Sequence, residues 1–312
     1  MGCHTLSKVQ SKSVADFAKD CSLIAEVPIS VHKKIHDFEN FEINKDLESR
    51  IADIDVRELN NELKKSFDLL KYNDSVTNEF NIKYLIFIKI SELLLVFTDG
   101  KYSEQFSKSV NDGAPVLNNL ITQYNSTQSK PARIPKSIGS LVGEITTAAG
   151  QRKLKWMQRK YLVKFINASD TLFTSITDDF ISGDYPSMIN QHKNLVKGEA
   201  IFFPTYVQDL KRNDSANINH PEYLQEHVIK VYKGRQLALE NINTLIGISL
   251  KNMQTLKNTF DKIKVSLNTK LSLKEQYEEF KELNLEAAKI KSIYKKFEEQ
   301  RNELHESENY SK

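Results

Sequence analysis

Glycine and proline are scarce in this sequence, whose 312 residues include 10 glycines and 7 prolines. Together they make up about 5% of the chain, against about 12% in average proteins. Because the tight turns between strands consume both residue types, their scarcity disfavours β-sandwiches, β-barrels and glycine-rich nucleotide folds. The 16 phenylalanines and 12 tyrosines are too many for a disordered chain. The composition therefore favours amphipathic helices that each bury one apolar stripe.

Cysteine and long apolar runs are also scarce. Cys3 and Cys21 are the two cysteines, too few for the disulfide framework of a small secreted domain or for a cysteine zinc site. We expect Cys21 on the apolar face of an early helix, with a Cys3–Cys21 disulfide as the less favoured alternative. The most apolar segment, Ile82–Phe97, is interrupted by three charged residues. It predicts a core helix rather than a membrane span, which needs about 20 apolar residues.

Apolar residues recur at helical spacing along most of the chain. The predicted helices cover Val14–Ala25, a segment that begins at Val56, Glu79–Thr98, Tyr102–Tyr124, Ser137–Ile181, Ser187–Leu210 and the chain from Pro221 onward. One face of the second helix is predicted to carry Leu59, Leu63, Phe67 and Leu70. Prolines, glycines and polar runs predict interruptions at Pro28, Asn73–Asn78, Gly113–Pro115, Ser182–Asp184 and Arg212–His220, and a helix end at Asp99-Gly100.

The C-terminal part carries the strongest periodicity. One stripe steps by three or four residues through Ile242, Leu245, Ser249, Met253, Leu256, Phe260, Ile263 and Leu267. A turn is predicted near Asn268–Leu271, a capping box follows at Ser272–Glu275, and a second stripe runs from Leu273 to Leu304. These two stripes predict an antiparallel helical hairpin with a coiled-coil-like seam.

The predicted fold class is therefore all-α: an elongated antiparallel helical bundle with a long C-terminal coiled-coil-like hairpin. We predict three consecutive parts, namely an N-terminal tether over 1–13, a helical bundle over 14–211 and the hairpin over 212–312. The hairpin either packs on the bundle or protrudes from it.

Three of the ten glycines, Gly139, Gly143 and Gly150, lie close together in the chain. In a helix, Gly139 and Gly143 share one face, where another backbone can approach closely. We interpret the segment as a tight helix crossing or a kink. The alternative is a segment that changes conformation or interacts with a membrane, as in helical toxins.

A basic amphipathic segment follows the glycines. Its candidate anion-binding side chains are Arg152, Lys153, Lys155, Arg159, Lys160 and Lys164. We expect Leu154, Met157, Tyr161 and Phe165 on its core face and the basic side chains, Arg159 included, on the outside. Such a helix can bind anionic lipid headgroups or phosphate backbones, or an acidic protein. The favoured interpretation is a solvated helix face, and no nucleic-acid module accompanies it.

Signatures of enzymes and metal sites are absent from the sequence. It contains no nucleophile elbow, phosphate-binding loop, dinucleotide glycine pattern, zinc-protease motif or EF-hand loop. His32 and His36 have the i, i+4 spacing of metal ligands, but they lack a third ligand nearby and we expect them to be exposed. We therefore expect a non-enzyme with no cofactor, no metal, no small-molecule substrate and no nucleic-acid partner.

The first residues point to a membrane anchor. Met1-Gly2-Cys3 is compatible with a chance start, or with myristate on Gly2 and palmitate on Cys3, although Leu6 stands where that pattern has Ser or Thr. The segment Gly2–Leu6 resembles the end of a lipobox, in which a small residue precedes an acylated cysteine. With the polar Ser7–Ser13 and the long helices after it, the chain resembles uncharacterised helical bacterial lipoproteins. No hydrophobic signal region precedes Cys3 in the sequence.

This resemblance implies that Cys3 is the lipidation site and that the protein is anchored in the bacterial cell envelope, on the periplasmic side of a membrane. The cytoplasmic face of a membrane is the alternative location. The predicted function is that of a non-enzymatic envelope lipoprotein that acts as a structural or adaptor protein and binds a protein partner through its helical surfaces. The alternatives are a peripheral membrane-binding scaffold and a helical toxin-like protein, both using the Gly139–Lys164 region.

Overall fold

The computed structural model describes residues 8–51, 56–98, 104–127, 151–213 and 216–268, together with the single positions 285, 292 and 295. All regular secondary structure within these residues is helical, which confirms the predicted all-α bundle. The helices are α1 (Lys8–Ile51), α2 (Val56–Thr98), α3 (Glu104–Thr127), α4 (Gln151–Asp179), α5 (Tyr185–Asn213), α6 (Pro221–Leu224) and α7 (Lys230–Asn268). Two π turns lie between consecutive helices: π1 (Phe180–Asp184) joins α4 to α5, and π2 (Gln225–Ile229) joins α6 to α7.

Several helix ends lie where the sequence predicts them. Helix α2 ends at Thr98, directly before Asp99-Gly100, and α7 ends at Asn268. Pro221 occupies the first turn of α6. Backbone N–H groups in a first turn have no acceptor within the helix, so a proline there costs no hydrogen bond. The interruption predicted at Ser182–Asp184 takes the form of π1.

Three predicted interruptions are wrong, because α1, α2 and α3 continue through Pro28, Asn73–Asn78 and Gly113–Pro115. A proline inside a helix costs about 3 kcal/mol, yet Val27 and Val31 on either side of Pro28 are buried. Burial of this apolar face outweighs the lost hydrogen bond. The polar residues of Asn73–Asn78 are weak helix formers, but continuing a helix through them avoids the cost of a second nucleation.

The chain forms two compact units that alternate along the sequence. Unit 1 consists of Met1–Ile29, Glu79–Asp184 and Ser249–Ile290, and unit 2 of Ser30–Asn78, Tyr185–Ile248 and Lys291–Lys312. Single helices such as α1 and α7 therefore contribute one part of their length to each unit. The division into three consecutive parts at residues 13 and 211 stays a prediction, although α1 already begins at Lys8.

Unit 1 is built around packed phenylalanines. The rings of Phe173 and Phe260 stack with their centroids 4.1 Å apart, and Phe87 and Phe17 lie 4.6 and 6.0 Å from Phe173. Helices α2 and α4 run antiparallel there, since Phe97 pairs with Phe165 while Phe87 pairs with Phe173. Cys21 is fully buried on α1 with a free thiol, as its position on the apolar stripe predicts, and burial raises its pKa to about 12.

Unit 2 buries fewer apolar side chains than unit 1. Of the forty buried apolar side chains in the described residues, unit 2 contributes nine: Val31, Ile35, Met188, Leu195, Ile218, Leu239, Ile242, Leu245 and Ile246. The face of the second helix that is predicted to carry Leu59, Leu63, Phe67 and Leu70 falls in this unit, and its Phe67 is 58% exposed. Leu59, Leu63 and Leu70 are half-buried.

The apolar stripe of α7 is confirmed, because all eight of its predicted positions from Ile242 to Leu267 are buried. The second arm of the predicted hairpin, Leu273–Leu304, lies outside the described residues except for three exposed helical positions. None of the helices in the described part of the chain has an apolar stretch long enough to cross a bilayer.

Asp20 gives unit 1 a testable dependence on pH. Its side chain is 3% exposed and its Oδ2 atom has no hydrogen-bond partner in the described structure. Burial, reinforced by the charge of Asp16, raises the pKa of Asp20 from 3.8 to about 7. The folded protein thus keeps a proton that the unfolded chain releases near pH 4, so this group makes stability fall as pH rises from about 4 to 7.

We expect Asp20→Asn to remove this fall in stability between about pH 4 and 7, because the amide side chain carries no charge that burial would desolvate. The variant should match the wild type near pH 4 and exceed it above pH 7 by up to about 4 kcal/mol, measured by urea denaturation across pH. Asp37→Asn, at an exposed position of the same helix, is the control and should leave the pH dependence unchanged. Identical pH profiles of Asp20→Asn and the wild type would contradict the expectation.

Candidate functional site

An inward-facing arginine, whose side chain is only 11% exposed, is the central polar feature of unit 2. The Nε of Arg235 on α7 donates to both carboxylate oxygens of Glu199 on α5, at 2.9 and 2.8 Å. Its Nη2 lies 2.6 Å from Glu199 and donates to Glu42 on α1 at 3.2 Å. Glu199 is 4% exposed. One guanidinium therefore ties three helices of unit 2 together through charge-assisted hydrogen bonds.

Three aromatic rings surround the same guanidinium. Its central carbon lies 4.6 Å from the ring centroids of Phe38 and Phe202 and 5.0 Å from that of Phe41. These distances are within the range of cation–π attraction. Burial raises the pKa of Glu42. The positive charge of Arg235 opposes this rise, and the negative charge of Glu199 adds to it. Arg235 itself fills the aromatic cage, so the cluster holds helices in place.

Sequence reasoning missed this cluster, although a signal for it exists. Arg235 lies four residues before Leu239 and seven before Ile242, on the buried stripe of α7. Glu199 likewise lies four residues after the buried Leu195. A charged residue on a buried stripe requires a partner of opposite charge. The sequence therefore contains both halves of the pair but no indication that they meet.

A second polar cluster lies beside π1 in unit 1. Lys83 donates to Asp184 at 2.8 Å and lies 3.7 Å from Asp179, and Tyr84 donates its hydroxyl to Asp184. Tyr124 of α3 donates to Asp179 at 2.9 Å. Burial raises the pKa of Asp184, against the opposing Lys83 charge, and raises the pKa of Tyr84 well above its usual value.

The π turn explains why these two carboxylates converge. Asp179 and Asp184 are five residues apart, and the wider π turn brings such residues to one side of the helix, as at many functional sites. Their oxygens already accept hydrogen bonds from a lysine and two tyrosines. The cluster therefore holds π1 against α2 and α3.

Exposed apolar side chains are concentrated in unit 2. Of the twelve large exposed apolar residues in the described structure, eight belong to it: Phe67, Leu69, Tyr72, Val196, Ile201, Ile229, Tyr232 and Leu237. We call Leu69 and Tyr72, three residues apart on one side of α2, the α2 surface. Tyr232 also contacts Phe203, at 4.8 Å between ring centroids, and the hydroxyl of Tyr206 donates to the carbonyl of His227 within π2.

The outer face of α5 combines basic and apolar residues. Exposed side chains follow it at intervals of three or four residues, at Lys193, Lys197, Ile201, Pro204, Gln208 and Lys211. We call these residues the α5 stripe. The buried Glu199 lies on the opposite side of the helix, where it pairs with Arg235.

Some side chains of the basic segment lie on the predicted side of α4, and one does not. Tyr161 and Phe165 are buried and Lys160 and Lys164 are exposed. The prediction is wrong for Arg159, which is half-buried and donates to the carbonyl of Leu267, 3.2 Å away. Carbonyls at a helix C-terminus lack helical donors, so the end of α7 attracts this guanidinium inward.

The other predicted site residues lie wholly or partly outside the described structure. Arg152, Lys153 and Lys155 belong to α4, but their side chains lie outside the description, as do Cys3, Gly139, Gly143 and Gly150. The expectation that His32 and His36 are exposed is wrong, because both are buried in unit 2. Within the described residues, no group of three potential ligands could hold a metal ion.

Replacing Arg235 should test the buried cluster. We expect Arg235→Met to lower the free energy of unfolding by about 3–5 kcal/mol, because it leaves Glu199 buried without its counter-charge. Chemical denaturation measures the change. Lys233→Met, two residues away and exposed, is the matched control and should stay within about 0.5 kcal/mol of the wild type.

The double variant Arg235→Met/Glu199→Leu separates charge from packing. It should be more stable than Arg235→Met alone, since it removes the unpaired carboxylate together with the arginine. A loss below about 1 kcal/mol in Arg235→Met would show that the cluster does not hold unit 2 together.

Comparisons of the chain with protein-family models, with curated proteins and with solved structures find no match. The function has to be inferred from the surfaces and clusters described above.

Proposed function

We propose that this protein is a non-enzymatic, lipid-anchored adaptor that binds a protein partner through the exposed apolar side chains of unit 2. The observation that carries the proposal is the uneven distribution of these side chains, eight of twelve in the described residues. Single exposed apolar residues are ordinary, but exposed ones that lie side by side, as Leu69 and Tyr72 do on α2, are typical of an interaction surface. Aromatic residues, which dominate the energetics of protein interfaces, are among them.

The α2 surface is the proposed contact for the partner. Leu69 is 47% and Tyr72 is 66% exposed. The two residues are three positions apart on one side of the helix, whereas Phe67 projects about 160° away from Leu69. A partner helix packed along this side of α2 would cover Leu69 and Tyr72 together.

The proposed anchor is Cys3, with the envelope of a bacterium as the proposed location. Its support is the lipobox-like Gly2–Leu6 segment. An acyl chain would restrict the protein to a membrane surface and leave unit 2 to recruit the partner. The non-enzymatic part of the proposal is supported by the two polar clusters, in which the carboxylates already accept hydrogen bonds from lysine, arginine or tyrosine.

Site-specific photo-crosslinking in cells tests the partner surface. A photoreactive phenylalanine analogue at position 72 should give a discrete adduct with one protein, because Tyr72 is proposed to lie within the interface. The same analogue at position 85 is the matched control, since Leu85 is an exposed residue of the same helix that belongs to unit 1. Equal adducts at both positions, or none at position 72, would contradict the proposed surface.

Mass spectrometry of the protein purified from its native membrane tests the anchor separately. We expect an N-terminal peptide that begins at Cys3 and carries acyl chains. A free thiol at Cys3, or an unmodified Met1, would refute the anchor and leave the α2 surface to be judged by crosslinking alone.

A further inference from the structure

We propose that the α5 stripe is a second membrane contact, which docks directly on anionic lipid headgroups without an acyl chain. This goes beyond the proposed function, because it concerns a different helix face and needs neither Cys3 nor the α2 surface. It also differs from the basic Arg152–Lys164 segment, whose binding to anionic surfaces is an alternative that the sequence leaves open.

The α5 stripe forms one continuous exposed face. From Lys193 to Lys211 its six residues step by 4, 4, 3, 4 and 3 positions, the spacing that keeps side chains on one side of a helix. At about 1.5 Å per residue, the face is about 27 Å long. A face of this length can lie along a planar surface.

The charge of this face suits an anionic surface. Among the described side chains of α5, the exposed charged ones are all basic: Lys193, Lys197, Lys211 and Arg212. The helix also contains the acids Glu199 and Asp209, but the first is buried against Arg235 and the second is half-buried. The fold therefore turns acidic groups inward and leaves a basic face outside.

The centre of the stripe is apolar. Ile201 is 74% exposed, the highest value among the large exposed apolar residues of the described chain, and Pro204 is exposed one turn later. Lysines flank this centre on both sides along the helix. An interfacial helix has this arrangement, since its apolar residues enter the boundary between headgroups and acyl chains while lysines reach back to the phosphates.

The Arg235 cluster fixes which face of α5 points outward. Residues 197 and 199 project about 160° apart around a helix. With Glu199 held by Arg235, Lys197 and the rest of the stripe must face solvent. The ion pair therefore holds α5 with the stripe on its exposed side.

A lipid surface fits these residues better than a nucleic acid does. The apolar centre divides the basic side chains into two groups about four turns apart. A phosphate backbone favours an unbroken row of basic side chains instead. An exposed isoleucine gains nothing from a phosphate chain but gains from the acyl boundary. The absence of vesicle binding would leave an acidic protein as the occupant and overturn the proposal.

Vesicle co-sedimentation of the purified full chain carrying Cys3→Ser tests the contact without any acyl group. The two vesicle types are phosphatidylcholine alone and phosphatidylcholine mixed with phosphatidylglycerol. We expect binding to the anionic vesicles that weakens as salt is added, and little binding to the neutral ones. Equal binding to both vesicle types, or to neither, would overturn the proposal.

Matched variants locate the contact. Lys193→Gln/Lys197→Gln/Lys211→Gln should lower the partition coefficient by about tenfold or more, and Ile201→Ser by about tenfold. The control Lys64→Gln/Lys65→Gln/Lys71→Gln removes the same charge from exposed positions of α2 in the same unit and should change binding less than about twofold. Equal losses in both triple variants would show a response to net charge alone and overturn the assignment to α5.

A loss of photo-crosslinking at Tyr72 or of acylation at Cys3 would leave these vesicle results unchanged. Failure of the proposed function and failure of this inference are therefore distinguishable. Because every substituted side chain on α5 and α2 is exposed, circular dichroism of the variants should match that of the parent chain.

Discussion

The guanidinium of Arg235 must be neutralised inside unit 2, and this requirement organises the rest of that unit. An arginine that turns inward cannot lose its charge, so the fold has to supply carboxylates and a favourable surrounding. Glu199 and Glu42 provide the counter-charges, while Phe38, Phe41 and Phe202 provide aromatic faces. Since these residues come from α1, α5 and α7, one charge fixes the rotation of three helices.

Unit 1 is stabilised in a different way. Its centre is a set of packed phenylalanines from α1, α2, α4 and α7, and a cluster of its polar groups lies at π1. Lys83, Tyr84 and Tyr124 supply the donors that the two aspartates need. Among the described residues, unit 1 buries most of the apolar side chains, whereas unit 2 leaves more of its large apolar side chains exposed. Unit 2 is accordingly where the proposed contacts lie.

The features predicted correctly from the sequence depend on local periodicity. The α7 stripe from Ile242 to Leu267, the buried Cys21 and the end of α2 at Thr98 each follow from residues within a few turns of one another. The positions at which the sequence and the structure differ depend on residues that are distant in the chain but close in space. Phe67 has the spacing of a core residue but too little structure packs against it, and Arg159 faces the end of α7 instead of solvent.

The candidate surfaces show the same limit. The sequence contains Lys193, Lys197 and Ile201 at helical spacing, yet a helix with charges and apolar residues on several sides has no unique inner face. The contact between Glu199 and Arg235, together with the burial of Leu195, decides which side of α5 turns outward. The buried environment of His32 and His36 likewise comes from neighbours that their own i, i+4 spacing cannot indicate.

The sequence alone determined that this protein is helical, where many of its helices end and which residues form the α7 stripe, because hydrogen bonding within a helix and apolar periodicity are local properties. The tertiary structure decided that helices continue through Pro28 and Asn73–Asn78, that Arg235 turns inward, and that Phe67 and Ile201 stay exposed. The physical reason is that burial and charge pairing are set by whichever segment packs alongside, and that segment can be far away in the chain. Periodicity defines the faces of a helix, but only packing decides which of them is covered.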